Sequence, residues 1–160
     1  RRLDDMADFK GYSWLIDRLP EGTSVLRVGP KDPWFAAASH LRVEWTGLIP
    51  PREIARHACA ARVGIVCDDG RWDSGPRVLP ELLAMGIPVI VRKTVRAWAR
   101  YITPQTGLLV GEAPYEFQAA LNQLLRQPPK PLQYYIDNLS MPVASRFLHD
   151  AIEGAMQCCL

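Results

Sequence analysis

The chain has 160 residues, of which 48% are hydrophobic and 22% are charged, and its formal net charge is +2. This length matches one ordinary domain with a normal core, so the disordered and collagen-like classes are excluded. The small net charge argues against bulk electrostatic binding to nucleic acid or to an anionic membrane.

Short apolar runs rich in β-branched residues alternate with helical patterns along the chain. The predicted strands cover residues 24–28, 42–45, 63–67, 88–91 and 107–110. The predicted helices among them cover residues 10–19, 51–61, 77–85, 96–101 and 115–126. Several strands lack polar alternation, as expected for strands covered on both faces of one parallel sheet. The predicted fold class is therefore α/β, a doubly wound Rossmann-like domain with right-handed crossovers.

A proline-rich stretch at residues 127–131 interrupts this alternation. Beyond it, residues 132–139 and 143–159 are predicted helices, and the second carries apolar residues at helical spacing. We therefore predict a Rossmann-like domain over residues 1–127 and a C-terminal helical extension over residues 128–160.

The cysteines form no C-x-x-C pair and do not stand at zinc-ligand spacing. Cys59 and Cys67 fall in apolar stretches, so we expect both thiols to be buried. The adjacent Cys158 and Cys159 fit a packed or frayed helix end better than a lipidation site. This usage, with no signal peptide and no membrane-spanning apolar run, predicts a reducing cytosol.

The segment 73–88 carries the main chemical signal. A polar loop follows the strand at 63–67, and a helix starts near Pro76 or Arg77. Ligands of open α/β sheets bind beyond the carboxyl ends of the strands. Gly75, Pro76 and Arg77 therefore make a candidate diphosphate cradle at a helix start, although Pro76 has no N–H to donate.

Glu81 lies one turn into the same helix, off its apolar face. A carboxylate there can accept hydrogen bonds from two neighbouring ribose hydroxyls. The alternative is a surface ion pair between Glu81 and Arg77, which would contribute only about 0.3–0.5 kcal/mol.

This segment resembles the donor motif of the retaining GT-B glycosyltransferases related to glycogen synthase and sucrose synthase, the group 1 glycosyltransferases. Their motif is written E-G-F-G-x-x-x-x-E-A-M-A-x-G-x-P-V. Glu81, Ala84, Gly86 and Pro88 stand in register with it, and Asp73 replaces the first glutamate at the correct spacing.

The resemblance extends over residues 1–127 in chain order. Lys10-Gly11 resembles the family's K-G helix start, residues 43–48 resemble its V-x-F-x-G strand, and residues 106–110 match its T-G-x-L-V strand. The family's first strand is the one element not found, and it would end just before Arg1. A chain that opens on arginine rather than methionine is accordingly interpreted as an excised domain.

The resemblance implies a role for each matching residue. Arg2, or Arg1 in its place, and Lys10 would bind the diphosphate of the donor, and Asp73 would contact the transferred sugar. Asp73 and Lys10 are thus the candidate catalytic residues. Gly75, Pro76, Arg77 and Glu81 would complete the donor site, and the loop at Leu48 would border the nucleobase.

The resemblance implies no metal and no cofactor, because such enzymes use Arg, Lys and helix N-termini instead. The pair Asp68–Asp69 allows a metal-binding alternative, which we disfavour. The three histidines lack a partnered Ser or Cys motif. Of the tryptophans at positions 34, 72 and 98, Trp72 is the best candidate for lining a sugar cleft.

The predicted function is donor binding for a glycosyltransferase that moves a sugar from a nucleotide-diphosphate sugar with retention of configuration. The expected partners are that donor and an N-terminal acceptor-binding domain, without nucleic acid. The expected location is the cytoplasm, with membrane association only through the full-length protein. The alternatives are a degenerate, non-catalytic domain with a scaffolding role, and a different GT-B enzyme such as a sugar-nucleotide epimerase or a phosphorylase.

Overall fold

The computed structural model describes residues 8, 10–70, 77–96 and 98–157. The strands are β1 (Ser24–Arg27), β2 (Arg42–Trp45), β3 (Gly64–Val66), β4 (Val89–Arg92) and β5 (Gly107–Val110). The helices are α1 (Tyr12–Ile16), α2 (Pro33–Ala37), α3 (Pro51–Ala58), α4 (Val78–Ala84), α5 (Trp98–Tyr101), α6 (Pro114–Arg126), α7 (Pro131–Asn138) and α8 (Met141–Gln157). Helices and strands alternate up to α6, as predicted for an α/β domain.

All strand pairs of the described chain are parallel, but they form two sheets rather than the single sheet that we predicted. β1 pairs with β2, and β4 lies between β3 and β5. Among the described strands, β2-β1 and β3-β4-β5 correspond to the two flanks of the doubly wound order 3-2-1-4-5-6. The expectation for the family's first strand stays a prediction.

The three-stranded sheet has helices on both faces. Alternate residues of its strands, such as Ile90 and Val110, join a cluster with residues of α1 and α6. The intervening residues, such as Val89 and Val91, pack with Leu79 and Leu83 of α4 in a second cluster. This double coverage explains why β4 is apolar from Val89 to Val91.

Aromatic side chains connect the two-stranded sheet to α1. Phe35 of α2 lies 5.3 Å from Tyr12 and 6.5 Å from Trp45 of β2, measured between ring centroids. Val25 and Val43 pack against the same cluster that covers the first face of the larger sheet. Both sheets therefore share one core, although no backbone pairing between them is seen in the described residues.

The sequence prediction omitted α2. Asp32 caps this helix by accepting a hydrogen bond from the Phe35 N–H, and Pro33 occupies its first turn. These are recognisable start signals, but five residues are too few to show a helical period. The other predicted elements are present, with ends shifted by up to three residues.

Two helices, α7 and α8, follow the proline-rich stretch. Tyr135 and Leu139 reach the cluster formed by α4, and Leu132 lies beside Gly86. The first residues of α8 are mostly exposed, with Met141 and Leu148 among its large exposed side chains. Within the described ranges, no helix is long and apolar enough to cross a membrane.

Candidate functional site

The loops that follow β3 and β4 contact each other at the carboxyl edge of the sheet. The buried Asp68 carboxylate accepts the Gly70 N–H at 2.7 Å, and the Thr94 hydroxyl donates to the Asp68 carbonyl at 2.7 Å. Gly70 has φ +73°, and a Cβ there would lie 2.1 Å from the Thr94 carbonyl oxygen. Asp68 thus shapes its own loop, which favours a structural role over metal binding.

The turn at Lys10 and Gly11 lies against the end of β3. The Cys67 thiol donates to the Lys10 carbonyl at 3.2 Å, and the Lys10 side chain is exposed. The Asp8 carboxylate accepts the N–H groups of Tyr12 and Ser13, both at 2.7 Å, and thereby caps α1. These contacts hold Lys10 where ligands of open α/β sheets bind.

Burial raises the pKa of the Cys67 thiol from 9.0 to about 12, with the Asp8 carboxylate as the next cause. The folded protein therefore keeps this thiol protonated and poorly nucleophilic. Cys59, which we predicted to be buried, is exposed and follows the last residue of α3. The apolar residues around Cys59 in the sequence did not show that its side chain lies on the solvent side at the end of α3.

We expect the free energy of unfolding to fall as pH rises above about 9. The unfolded chain then loses the Cys67 proton while the folded chain keeps it, so stability drops by up to about 1.4 kcal/mol per pH unit. Urea denaturation between pH 8 and pH 10.5 measures this slope. Cys67→Ala is expected to make the curve less steep and Cys59→Ala to leave it unchanged; equal slopes in all three proteins would contradict the assignment. Tyr12, whose pKa burial also raises, adds to the slope in each protein.

Arg77 and Glu81 stand at the start of α4, in the crossover between β3 and β4. Both side chains are exposed, whereas Leu79 and Leu83 of the same helix are fully buried. The structure shows no ion pair between the described side chains of Arg77 and Glu81. The alternative role of Glu81 as the partner of Arg77 is therefore not supported, and its carboxylate faces solvent off the apolar face, as predicted.

The loops after β1 and β2 meet next to Leu48. The Gly29 N–H donates to the Thr46 hydroxyl at 3.1 Å, and Gly29 and Gly47 form an antiparallel bridge. Leu48 follows this junction with 89% of its surface exposed. A large apolar side chain held in solvent at the carboxyl end of a strand is free to cover a flat ligand.

Arg92 ends β4 at the same edge of the sheet, and the sequence analysis did not select it. It forms a two-pronged ion pair with Glu112, with both N···O distances at 2.8 Å, and its guanidinium lies 4.9 Å from the Trp14 ring centroid. The hydrogen bond from Arg92 lowers the pKa of Glu112. The sequence feature that could have indicated Arg92 is a charged residue directly after the apolar run of residues 88–91.

Several candidates fall outside the described residues. They are Arg2 with its alternative Arg1, Trp72, Asp73, Gly75 and Pro76. Of the other tryptophans, Trp98 packs against the second core cluster. Within the described ranges, no group of three or more His, Cys, Asp or Glu side chains is arranged to hold a metal. The expectation of a metal-free site stays a prediction.

Residues 2–127 match the sequence model of a family described as "Glycosyl transferases group 1". The chain belongs to the group 1 glycosyltransferases. This match covers every candidate site residue from Arg2 to Glu81 and ends where the proline-rich stretch begins. No curated protein sequence matches this glycosyltransferase domain.

Two solved structures share the fold of this glycosyltransferase domain. A sucrose-phosphate synthase from Thermosynechococcus elongatus has a TM-score of 0.70 at 19% identity, over 95% of this chain and 44% of its own. AviGT4, a glycosyltransferase involved in avilamycin A biosynthesis, has a TM-score of 0.61 at 16% identity, over 91% of this chain and 48% of its own. The chain thus spans less than half the length of both neighbours and corresponds to one half of a GT-B fold.

Proposed function

We propose that this domain binds the nucleotide-diphosphate sugar donor of a retaining glycosyltransferase. The observation that carries the proposal is the family match over residues 2–127, which includes the whole donor motif around Glu81. The exposed Lys10, Leu48, Arg77 and Glu81 support it, because each lies in a turn, loop or crossover that follows or touches the carboxyl end of a strand. This is the edge at which open α/β sheets bind ligands.

The chemistry of sugar transfer suits these residue types. When the bond between the anomeric carbon and the phosphate oxygen breaks, the nucleoside diphosphate leaves with the bonding electron pair and gains negative charge. Cationic side chains such as those of Lys10 and Arg2 would stabilise that charge more in the transition state than in the bound donor. Asp73 would bind the transferred sugar, and the acceptor hydroxyl would form the new bond to the anomeric carbon while its proton passes to the leaving diphosphate.

The acceptor is assigned to a second domain. The solved neighbours are more than twice as long as the aligned region, and the resemblance to GT-B enzymes implies that an N-terminal domain carries the acceptor site. We therefore propose that this chain binds donor by itself and transfers sugar only with its partner half. A nucleotide-sugar donor and free thiols at Cys59 and Cys67 suit a cytoplasmic enzyme.

Titration calorimetry of the folded protein with UDP, GDP and ADP tests donor binding and identifies the base. We expect measurable heat with one of them and a dissociation constant in the micromolar to millimolar range, which corresponds to a binding free energy of roughly −4 to −8 kcal/mol. Absence of heat with all three at millimolar concentration would count against donor binding and favour the non-catalytic scaffold. Product analysis with the full-length protein then separates a transferase from an epimerase, which needs no acceptor.

Glu81→Ala is expected to weaken nucleotide binding about ten- to hundred-fold, because a carboxylate that accepts ribose hydroxyls makes charge-assisted hydrogen bonds. The urea midpoint is expected to stay unchanged, since the Glu81 side chain is exposed. The matched control is Glu21→Ala, which removes the same charge from an exposed glutamate near the amino end of β1, on the opposite edge of the sheet. Equal affinities of the two variants would remove Glu81 from the site.

A further inference from the structure

Arg92 is held more firmly than a surface arginine. Its Nε and Nη2 atoms donate to the two carboxylate oxygens of Glu112, and its guanidinium lies over the ring of Trp14. Only 14% of the Arg92 side chain is exposed. The two-pronged ion pair fixes the orientation of the guanidinium, and the contact with the indole adds to its positioning.

This arrangement occupies one edge of the guanidinium and leaves Nη1 on the other side. Nη1 lies 3.4 Å from the position that a Cβ would take on Gly11. Gly11 follows Lys10 and lies against the carbonyl group of Cys67, just past the end of β3. Nη1 is therefore directed to the point where the ends of β3 and β4 meet the start of α1.

A second guanidinium group lies over the indole of Trp14. Arg18 is 4.4 Å from the ring centroid and donates to the backbone carbonyl of Glu112 rather than to its carboxylate. The carboxylates of Asp8 and Asp68 already accept backbone N–H groups of their own loops. An anion that reaches Nη1 would therefore bind a cationic group whose position is already fixed in the folded protein.

We propose that Arg92 is a phosphate-binding residue of the donor site, whose Nη1 donates to a phosphoryl oxygen of the nucleoside diphosphate. Glu112 and Trp14 are its positioning residues. This assignment rests on the proposed donor-binding function and adds to Lys10 a second cation, which comes from β4. Because Arg keeps its charge at every relevant pH, the contact would persist as the leaving diphosphate gains charge.

The test compares nucleoside-diphosphate affinities by titration calorimetry, with whichever of UDP, GDP and ADP binds the wild-type protein most tightly. Arg92→Gln is expected to lose about ten- to hundred-fold in affinity, the cost of one charge-assisted hydrogen bond. Arg92→Lys keeps the positive charge but cannot donate two parallel hydrogen bonds to Glu112, so its affinity is expected to lie between those of the wild type and Arg92→Gln. The matched control is Arg18→Gln, which removes the other guanidinium from the same indole and is expected to stay within about two-fold of the wild type.

The possible outcomes separate this inference from the proposed function. If the wild type binds a nucleotide and Arg92→Gln binds it equally well, the Arg92 assignment is wrong and donor binding stands. If the wild type binds none of the three nucleotides, both are wrong. An equal loss in Arg92→Gln and Arg18→Gln would assign the effect to disruption of the contacts at Trp14 and would also overturn a direct contact. Urea midpoints confirm that each variant is folded, and Arg92→Lys provides the test if Arg92→Gln is not.

Discussion

Gly11→Ala is expected to lower the free energy of unfolding by about 2–5 kcal/mol. Gly11 has φ +69°, a conformation that costs a residue with a Cβ about 1–2 kcal/mol. The new methyl group would also lie 2.0 Å from the Cys67 carbonyl oxygen, a backbone atom that cannot rotate away. Moving the turn away from β3 adds about 1–3 kcal/mol, as overpacking does in a core. Urea denaturation of both proteins measures the sum.

Gly47→Ala is the matched control for this experiment. Gly47 has the same φ, +69°, but no atom lies within 4 Å of the position of its Cβ. It is expected to lose only the conformational part, about 1–2 kcal/mol. The difference between the two variants therefore isolates the contact between Gly11 and Cys67. If the two losses are equal, the turn is not pressed against β3 and the position of Lys10 is not fixed by this contact.

The same contact explains why a glycine follows the lysine. The Lys10–Gly11 pair was noticed because it resembles a family motif, and the sequence alone offered no reason for the glycine. In the structure, only a residue without a Cβ lets the chain pass the end of β3 closely enough for the Cys67 thiol to reach the Lys10 carbonyl. A displaced turn would also move the Lys10 side chain, so we expect weaker nucleotide binding to accompany the loss of stability.

Much of the fold could be predicted because its signals are local. The strands at residues 42–45 and 107–110 were predicted to the residue, since runs of apolar and β-branched side chains depend only on the chain itself. The exposed position of Glu81 followed from the spacing of Leu79 and Leu83. The division into two sheets could not be predicted in this way, because an apolar pattern shows that a strand is covered but does not identify the strand beside it.

The part of the candidate site that the sequence did not reveal depends on contacts between distant segments. Arg92 acquires its orientation from Trp14 in α1 and from Glu112 after β5, and neither lies near it in the chain. The position of Asp68 likewise depends on a distant residue, because its carbonyl accepts the hydroxyl of Thr94 from the loop after β4. The resemblance to a family motif singled out Glu81, whereas Arg92 lies outside that motif and its contacts with Glu112 and Trp14 are seen only in the folded structure.

Phe117→Ala is expected to cost about 3–5 kcal/mol, the usual range for deleting a fully buried aromatic ring. Phe117 of α6 is completely buried and meets Trp14 edge-on, with 5.7 Å between the ring centroids. Tyr115→Ala is the control, because Tyr115 is an aromatic residue of the same helix that is 73% exposed. It is expected to change stability by no more than about 0.5 kcal/mol.

The shape of the Phe117→Ala transition tests whether the two sheets form one cooperative unit. Phe117 belongs to the cluster against which Val25 and Val43 of the small sheet also pack, so a cavity there weakens the support of both sheets. Unfolding followed by circular dichroism and by tryptophan fluorescence is therefore expected to coincide in the variant as in the wild type. A separate, earlier transition for the β1–β2 pair would contradict the shared core. Because Trp14 also contacts Arg92, the same variant is expected to weaken nucleotide binding, whereas Tyr115→Ala is expected to leave it unchanged.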